Sequence, residues 1–223
     1  MKTDSLTSSR SPKTKTTKPL GIEAILFDLG RVVVDFDHSI AAGRISKFCA
    51  KTPKQIFDLF FESDITMLFE SGKVSPREFY SEVKDMLGLN LSFENFVPIW
   101  NEIFFLTPQN RAVYSLASIL GRYYKVAMVS NINTLHYEYL KKNFPVFNAF
   151  HRVFTSCEIG FIKPHPAIYQ KALEDLGVLA ENTFYTDDRP ELITEARKLG
   201  INAYLFRGIK ELKDDLFSLG VEA

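Results

Sequence analysis

Five short apolar runs constrain this chain more than any other feature of its sequence. The first lies in IEAILFDLGRVVVDFD, which begins at Ile22 and passes from apolar residues into Asp28 and Gly30. A run of four or more apolar residues before an acid and a glycine marks a strand buried on both faces, whose C-terminal end opens into a loop. The other runs occupy residues 125–129, 152–155, 183–186 and 203–206. Between the later ones, residues 134–143, 167–176 and 190–199 have helical length and period, with Gly177 and Gly200 where helix C-caps belong. Strands that alternate with helices join through right-handed crossovers, so the expected sheet is parallel and covered on both faces.

Residues 37–107 break that rhythm and read as wholly helical. Thr52-Pro53-Lys54-Gln55 and Ser75-Pro76-Arg77-Glu78 are capping boxes with proline at the first helical position, and each marks a helix start. Phe79, Val83 and Leu87 recur at spacing four, while Phe93, Phe96, Val97, Trp100 and Phe104 follow a three-four pattern. Each helix therefore offers one apolar stripe, and eleven of the chain's 20 phenylalanines fall between Phe36 and Phe105, enough rings for a small bundle core. The fold class is α/β: a Rossmann-like parallel sheet core, with an all-helical cap inserted after the first strand. Ligands of open α/β sheets bind beyond the carboxyl ends of the strands. The insert leaves the sheet at that end, which places it as a lid.

Composition narrows the function. The 27 basic and 27 acidic side chains cancel, which argues against an obligate nucleic-acid binder, whose phosphate contacts demand excess lysine and arginine. Cys49 and Cys157 match no zinc or disulfide spacing and suggest buried thiols in a reducing, cytoplasmic setting. No apolar run approaches the roughly 20 residues needed to span a bilayer, so no membrane partner is expected. Residues 1–20 carry five basic groups against Asp4 alone and nine serines or threonines, the composition of a disordered tail. The expected organisation is a tail over 1–20, an α/β core from 21–36 and 108–223, and a helical cap over 37–107.

Four segments meet at the strand ends: Asp28-Leu29-Gly30, Ser130-Asn131, Lys163 after Gly160-Phe161-Ile162, and Asp187-Asp188. Singly, each is weak, because a carboxylate after a strand is as often a helix N-cap. Together and in this order they resemble the haloacid dehalogenase superfamily, with FDLGRVVVD as its first motif, VAMVSN as its second, GFIKPHPAIY as its third and FYTDD as its fourth. The resemblance covers about residues 22–206. It implies that Asp28 is a nucleophile that attacks phosphorus and forms an aspartyl-phosphate. Two anions repel, so a divalent cation must sit between nucleophile and phosphoryl group. Mg²⁺ prefers one or two carboxylates plus waters and phosphate oxygens. The resemblance assigns the metal to Asp28, Asp188 and the backbone carbonyl of Gly30, with Asp187 in support. Ser130 and the backbone N–H of Asn131 would face the phosphoryl oxygens near the positive end of the helix that follows. Lys163 would supply a fixed positive charge.

Two positions depart from the family pattern. Most phosphatases of the superfamily carry a general acid two residues after the nucleophile, where this chain has Gly30. That loss should slow the hydrolysis of alkyl phosphates, and an aspartate at position 30 should restore it. The first motif is similar to the branch that includes bacterial glucose-1-phosphate phosphatases, whose glycosyl leaving groups are better. In the fourth motif Leu192 stands where relatives place Asn or Asp, and Glu191 is the candidate replacement. The expected function is a Mg²⁺-dependent phosphatase acting on a small-molecule phosphate ester. The alternatives are a metal-independent 2-haloacid dehalogenase, disfavoured by two acids beside Asp28, and a non-catalytic binding or regulatory protein. His38, at the lid hinge, is a candidate substrate contact, while His136, His151 and His165 read as surface or helix-terminus residues.

Overall fold

The computed structural model describes residues 21–222, so the expected tail over 1–20 lies outside the described residues. Strand β1 (Ala24–Phe27) leads to a two-residue strand β2 (Asp35–Phe36). Helices α1 (His38–Ile45), α2 (Pro53–Glu62), α3 (Asp64–Glu70), α4 (Pro76–Leu87) and α5 (Phe93–Asn101) follow, then a second short strand, β3 (Phe104–Phe105). From there helix and strand alternate: α6 (Pro108–Leu120), β4 (Lys125–Ser130), α7 (Thr134–Asn143), β5 (Arg152–Thr155), α8 (Ser156–Ile159) and α9 (Pro166–Leu176). The chain ends with β6 (Thr183–Asp187), α10 (Pro190–Lys198), β7 (Asn202–Leu205) and α11 (Ile209–Ser218).

The five long strands form one parallel sheet in the order β5-β4-β1-β6-β7, with Ala24 of β1 opposite Lys125 on one side and Thr183 on the other. The chain builds outward from β1 to β5, then returns to the other side of β1. That reversal opens a crevice at the carboxyl end of β1, where ligands of such sheets bind. Alternation along each strand feeds two cores. Ile25, Phe27, Val126 and Met128 pack on one face with Val113, Leu116, Leu140 and Leu212. Leu26, Ala127, Val129 and Tyr185 pack on the other with Ile168, Tyr169, Ile193 and Ala196.

The insert has a core of its own, built from Ile45, Ile56, Phe60, Phe69, Phe79, Val83, Phe96 and Trp100. Phe79 stacks on Phe69 with ring centres 4.4 Å apart and meets Trp100 at 5.0 Å. Each large side chain so buried contributes roughly 1.5–3 kcal/mol relative to exposure. Both expected capping boxes are formed. A third, Thr107 with Asn110, starts α6, and asparagine in the third helical position hid it from a search for Glu or Gln. The segment 37–107 is not wholly helical. Strands β2 and β3 pair antiparallel, Asp35 with Phe105 and Phe36 with Phe104, and tie together the two places where the chain crosses between sheet and insert. Two-residue strands are too short to show a period. Among the described residues no helix is long and apolar enough to cross a membrane.

Candidate active site

Asp28 follows β1 directly, and its backbone N–H donates to the Thr186 carbonyl at 2.9 Å, which carries the sheet pairing one residue further. The chain then folds tightly on itself. Val33 and Val34 donate their N–H groups to the Leu29 carbonyl, and Arg31 takes a left-handed conformation with φ 58°. Val32, Val33 and Val34 are fully buried, and Asn110 donates its amide to the Val32 carbonyl at 3.1 Å. The loop that carries the candidate nucleophile is therefore anchored from beneath.

Lys163 reaches the same point from the loop after α8. Its Nζ lies 2.6 Å from Asp28 Oδ1, 2.7 Å from Asp187 Oδ2, 3.0 Å from the Val129 carbonyl and 3.1 Å from the Tyr185 hydroxyl. The Tyr185 hydroxyl also donates to Asp187 Oδ2, so its oxygen faces Lys163 as an acceptor. Asp187 Oδ1 accepts from the backbone N–H of Arg189 at 3.0 Å, which engages both oxygens of that carboxylate. Burial alone would lower the Lys163 pKa, but Asp28 and Asp187 hold it above its ordinary value. Burial works to raise Asp187, yet Lys163, Tyr185 and the Arg189 N–H keep it below the usual carboxylate range. For Asp28, burial outweighs the attraction of Lys163, and with Asp187 adding repulsion its pKa is pushed up to about 7. Burial and Asp187 also raise Asp188.

Asp28, Asp187 and Asp188 offer oxygens within 4.8 Å of one another. Three acids against the single ammonium of Lys163 leave a surplus of negative charge, and the donors are hard oxygens, the set that suits Mg²⁺. With Asp187 fully engaged, Asp28 and the half-exposed Asp188 are the carboxylates with capacity to spare. The hydrogen bonds of the first loop run from Arg31 to Val34 and from Val34 to Leu29. Among the described residues none uses the Gly30 carbonyl.

Glu191 does not join this group. It sits in the first turn of α10, half exposed, and its carboxylate pairs with Arg189 at 2.6 Å. Leu192 is buried in the core and fills an apolar position rather than a polar one. Ser130 is buried at the end of β4, its hydroxyl 3.4 Å from the neighbouring Asn131 carbonyl. Asn131 has a second use that its sequence context did not reveal. Its side chain accepts from the Lys163 N–H at 2.6 Å and donates to the Lys163 carbonyl at 2.9 Å, clamping the lysine's backbone across 32 residues of chain.

The histidines need one correction. His136 is buried, not at the surface: it accepts from Asn133 Nδ2 at Nδ1, donates from Nε2 to the Trp100 carbonyl at 3.0 Å, and stacks on the Trp100 ring. Burial depresses its pKa to about 3, so it is a neutral peg between α7 and the insert. His38 lies beside Phe36 with ring centres 4.9 Å apart, and burial lowers its pKa to about 4. Arg31 and Asp35 face each other across the loop at 3.7 Å.

The expected gain from an aspartate at position 30 meets an obstacle. A Cβ there would stand 2.8 Å from Cε1 of Phe36, a ring already held by His38 and Phe104. Overpacking of this kind costs about 1–3 kcal/mol. Gly30→Asp is expected to lower the melting temperature by several degrees in scanning calorimetry, and adding Phe36→Leu to recover most of the loss. A single variant as stable as the parent would show that the ring yields freely.

A family model described as haloacid dehalogenase-like hydrolase matches residues 25–206. The D-ribitol-5-phosphate phosphatase of Bacteroides thetaiotaomicron is 26% identical over 189 residues, which cover 82% of this chain and 91% of the relative. A solved enzyme of the haloacid dehalogenase family from the same organism, in complex with magnesium and inorganic phosphate, is 28% identical with a TM-score of 0.75. The match covers 85% of this chain and 96% of that one. An L-2-haloacid dehalogenase shares the fold at a TM-score of 0.64 and 19% identity, over 84% of this chain and 87% of that one. The family model spans both the sheet and the insert, and the four strand-end segments converge on one crevice: this chain belongs to the haloacid dehalogenase-like hydrolases.

Proposed function

We propose that this protein is a Mg²⁺-dependent phosphomonoesterase that hydrolyses a small phosphorylated metabolite through an aspartyl-phosphate on Asp28. The observation that carries the reading is the Asp28–Lys163–Asp187 arrangement beside Asp188. Lys163 engages one oxygen of Asp28, which fixes the carboxylate and leaves its second oxygen to attack. Asp28, Asp188 and the Gly30 carbonyl hold the metal, while Asp187 positions Lys163. When bound, Mg²⁺ neutralises phosphoryl charge and keeps nucleophile and phosphate together. Ser130 and the Asn131 N–H receive phosphoryl oxygens near the start of α7, and residues 37–107 serve as a lid over a core formed by 21–36 and 108–223. The relative's substrate, D-ribitol 5-phosphate, supports a polyol or sugar phosphate here. The balanced charge supports a small molecule over nucleic acid, and the free thiols Cys49 and Cys157 support a cytoplasmic setting.

The test is phosphate release from a panel of polyol, sugar and glycosyl phosphates with and without Mg²⁺. Magnesium-dependent release is expected. Halide release from 2-haloacids without metal would favour the dehalogenase alternative, and inactivity throughout would favour a binding protein. Metal binding has its own readout. Mg²⁺ at about 100 times its dissociation constant should stabilise the fold by roughly 2.7 kcal/mol, a rise of several degrees in melting temperature. Asp188→Asn is expected to remove most of that rise, and retention of the full rise would exclude Asp188 as a ligand.

A further inference from the structure

The position two residues after Asp28, where a general acid would stand, offers the leaving oxygen no proton. Gly30 has no side chain, Asp187 is held ionised by its partners, and His38 and His136 are kept neutral by burial. The insert supplies another acid. Glu70 is the last residue of α3, at the seam where that helix meets α8.

One hydrogen bond fixes its backbone against the core, and two neighbouring contacts support it. The Ser156 hydroxyl donates to the Glu70 carbonyl at 2.6 Å, and the Ser156 Oγ itself accepts from the Ile132 N–H at 2.9 Å. Ser156 thereby joins the insert to the loop that follows Ser130 and Asn131. Two residues on, Gly72 lies so close to the core that a Cβ would stand 2.2 Å from the Cys157 carbonyl. Its φ of 66° adds a second reason for glycine.

The Glu70 side chain is not spent on any of this. Among the described residues no hydrogen bond or ion pair engages its carboxyl. Arg189 and Lys163, from two strand-end loops of the core, lie close enough to pull its pKa down. Burial outweighs both, and the pKa is pushed up to about 7. Several neighbouring charges on the packed elements are committed elsewhere. Cys157 and Glu158 of α8 bond to Thr155, Lys54 pairs with Asp58 on α2, and on α4 Arg77 pairs with Glu94 while Glu78 caps Ser75.

The geometry points to Glu70 as the general acid and base of the reaction, supplied by the insert in place of the acid absent at Gly30. The assignment rests on the phosphatase reading above. In the first step Asp28 forms a bond to phosphorus, the bond from phosphorus to the alkyl oxygen breaks, and that oxygen takes the Glu70 proton. The alcohol leaves, with Glu70 now a carboxylate. In the second step water attacks phosphorus, Glu70 takes the water's proton, and the bond from phosphorus to Asp28 breaks. Phosphate leaves, and both carboxyl groups return to their starting states. An acid with a pKa near working pH serves both directions of transfer.

The experiment compares the parent with Glu70→Gln on two substrates: the best primary alkyl phosphate of the panel and p-nitrophenyl phosphate, whose leaving group departs as an anion. The variant is expected to lose about 10²–10⁴-fold with the alkyl ester. With the aryl ester kcat/KM, which reports the first step, should stay within about threefold. The alkaline limb of the parent's kcat/KM for the alkyl ester, near pH 7, should vanish in the variant. Equal losses on both esters, or none on either, would overturn the assignment. Glu70→Asp keeps a shorter acid and should recover part of the alkyl rate, which guards against a glutamine variant that fails to fold; no selectivity there counts against Glu70 as well. A parent that releases phosphate from neither ester defeats the phosphatase reading itself, a result distinct from parent activity that the variants leave unchanged.

Discussion

Asp28→Asn is expected to reduce turnover by at least about 10⁴-fold, because removing the nucleophile of a covalent mechanism leaves only binding and electrostatics to act. The amide matches the carboxylate in shape and its oxygen can still accept from Lys163. Folding therefore loses little. It can even gain, since burial and Asp187 make the ionised Asp28 unfavourable in the folded state. A group whose folded pKa is raised from 3.8 to about 7 destabilises the fold progressively as pH climbs through that window, and the asparagine variant is free of the effect. Its melting temperature at pH 8 should equal or exceed the parent's. More than one per cent residual activity in a folded variant would remove Asp28 from the nucleophile's role.

Lys163→Ala should damage stability and activity together. Its ammonium is buried among four oxygen acceptors, and its removal leaves Asp28 and Asp187 without their cation. Breaking one side of a buried ion pair costs about 3–5 kcal/mol, or roughly 10 °C in a domain of this size. The pH dependence has a definite sign. Asp187, held low by Lys163 in the parent, contributes stability above its unfolded pKa and loses it as pH falls through the folded value. Without the lysine both carboxyls bind protons more tightly folded than unfolded, so the variant should melt higher at pH 5 than at pH 8. Thermal unfolding at the two pH values tests this. A variant that melts like the parent at both would mean that the lysine is no structural counterion.

The strand ends were legible because Asp28, Ser130 and Asp187 each close an apolar run that had to be a buried strand, whereas candidate Lys163 lies beyond β5 and α8 and was placed only by its motif; the crevice follows from the order of those strands. Tyr185 could have been found by the same logic. It lies two residues before Asp187 on one strand, so both side chains point to the same face. The side-chain clamp of Asn131, and Ser156 and Glu70 altogether, gave no local signal, since their partners lie 32, 24 and 86 residues away and meet only once the sheet and insert have assembled. His136 misled because a polar residue in the first turn of a helix is usually solvated. The contact with the Trp100 carbonyl that buries it comes from the insert. Glu191 misled for the opposite reason: it was the only acid beside the position relatives use, one residue early, but a nearer arginine took its carboxylate.

A cluster of acids that carries its own internal cation does not wait for a metal to assemble. In many metalloproteins the ion is a folding partner, and the chain stays unstructured until it arrives. Here Lys163 already bridges the two deepest carboxylates. Nascent chains can therefore mature in magnesium-poor surroundings, and the ion can exchange on the finished protein much as a substrate does. On the phosphatase reading proposed above, availability of the metal would govern how many molecules are switched on, not how many are made.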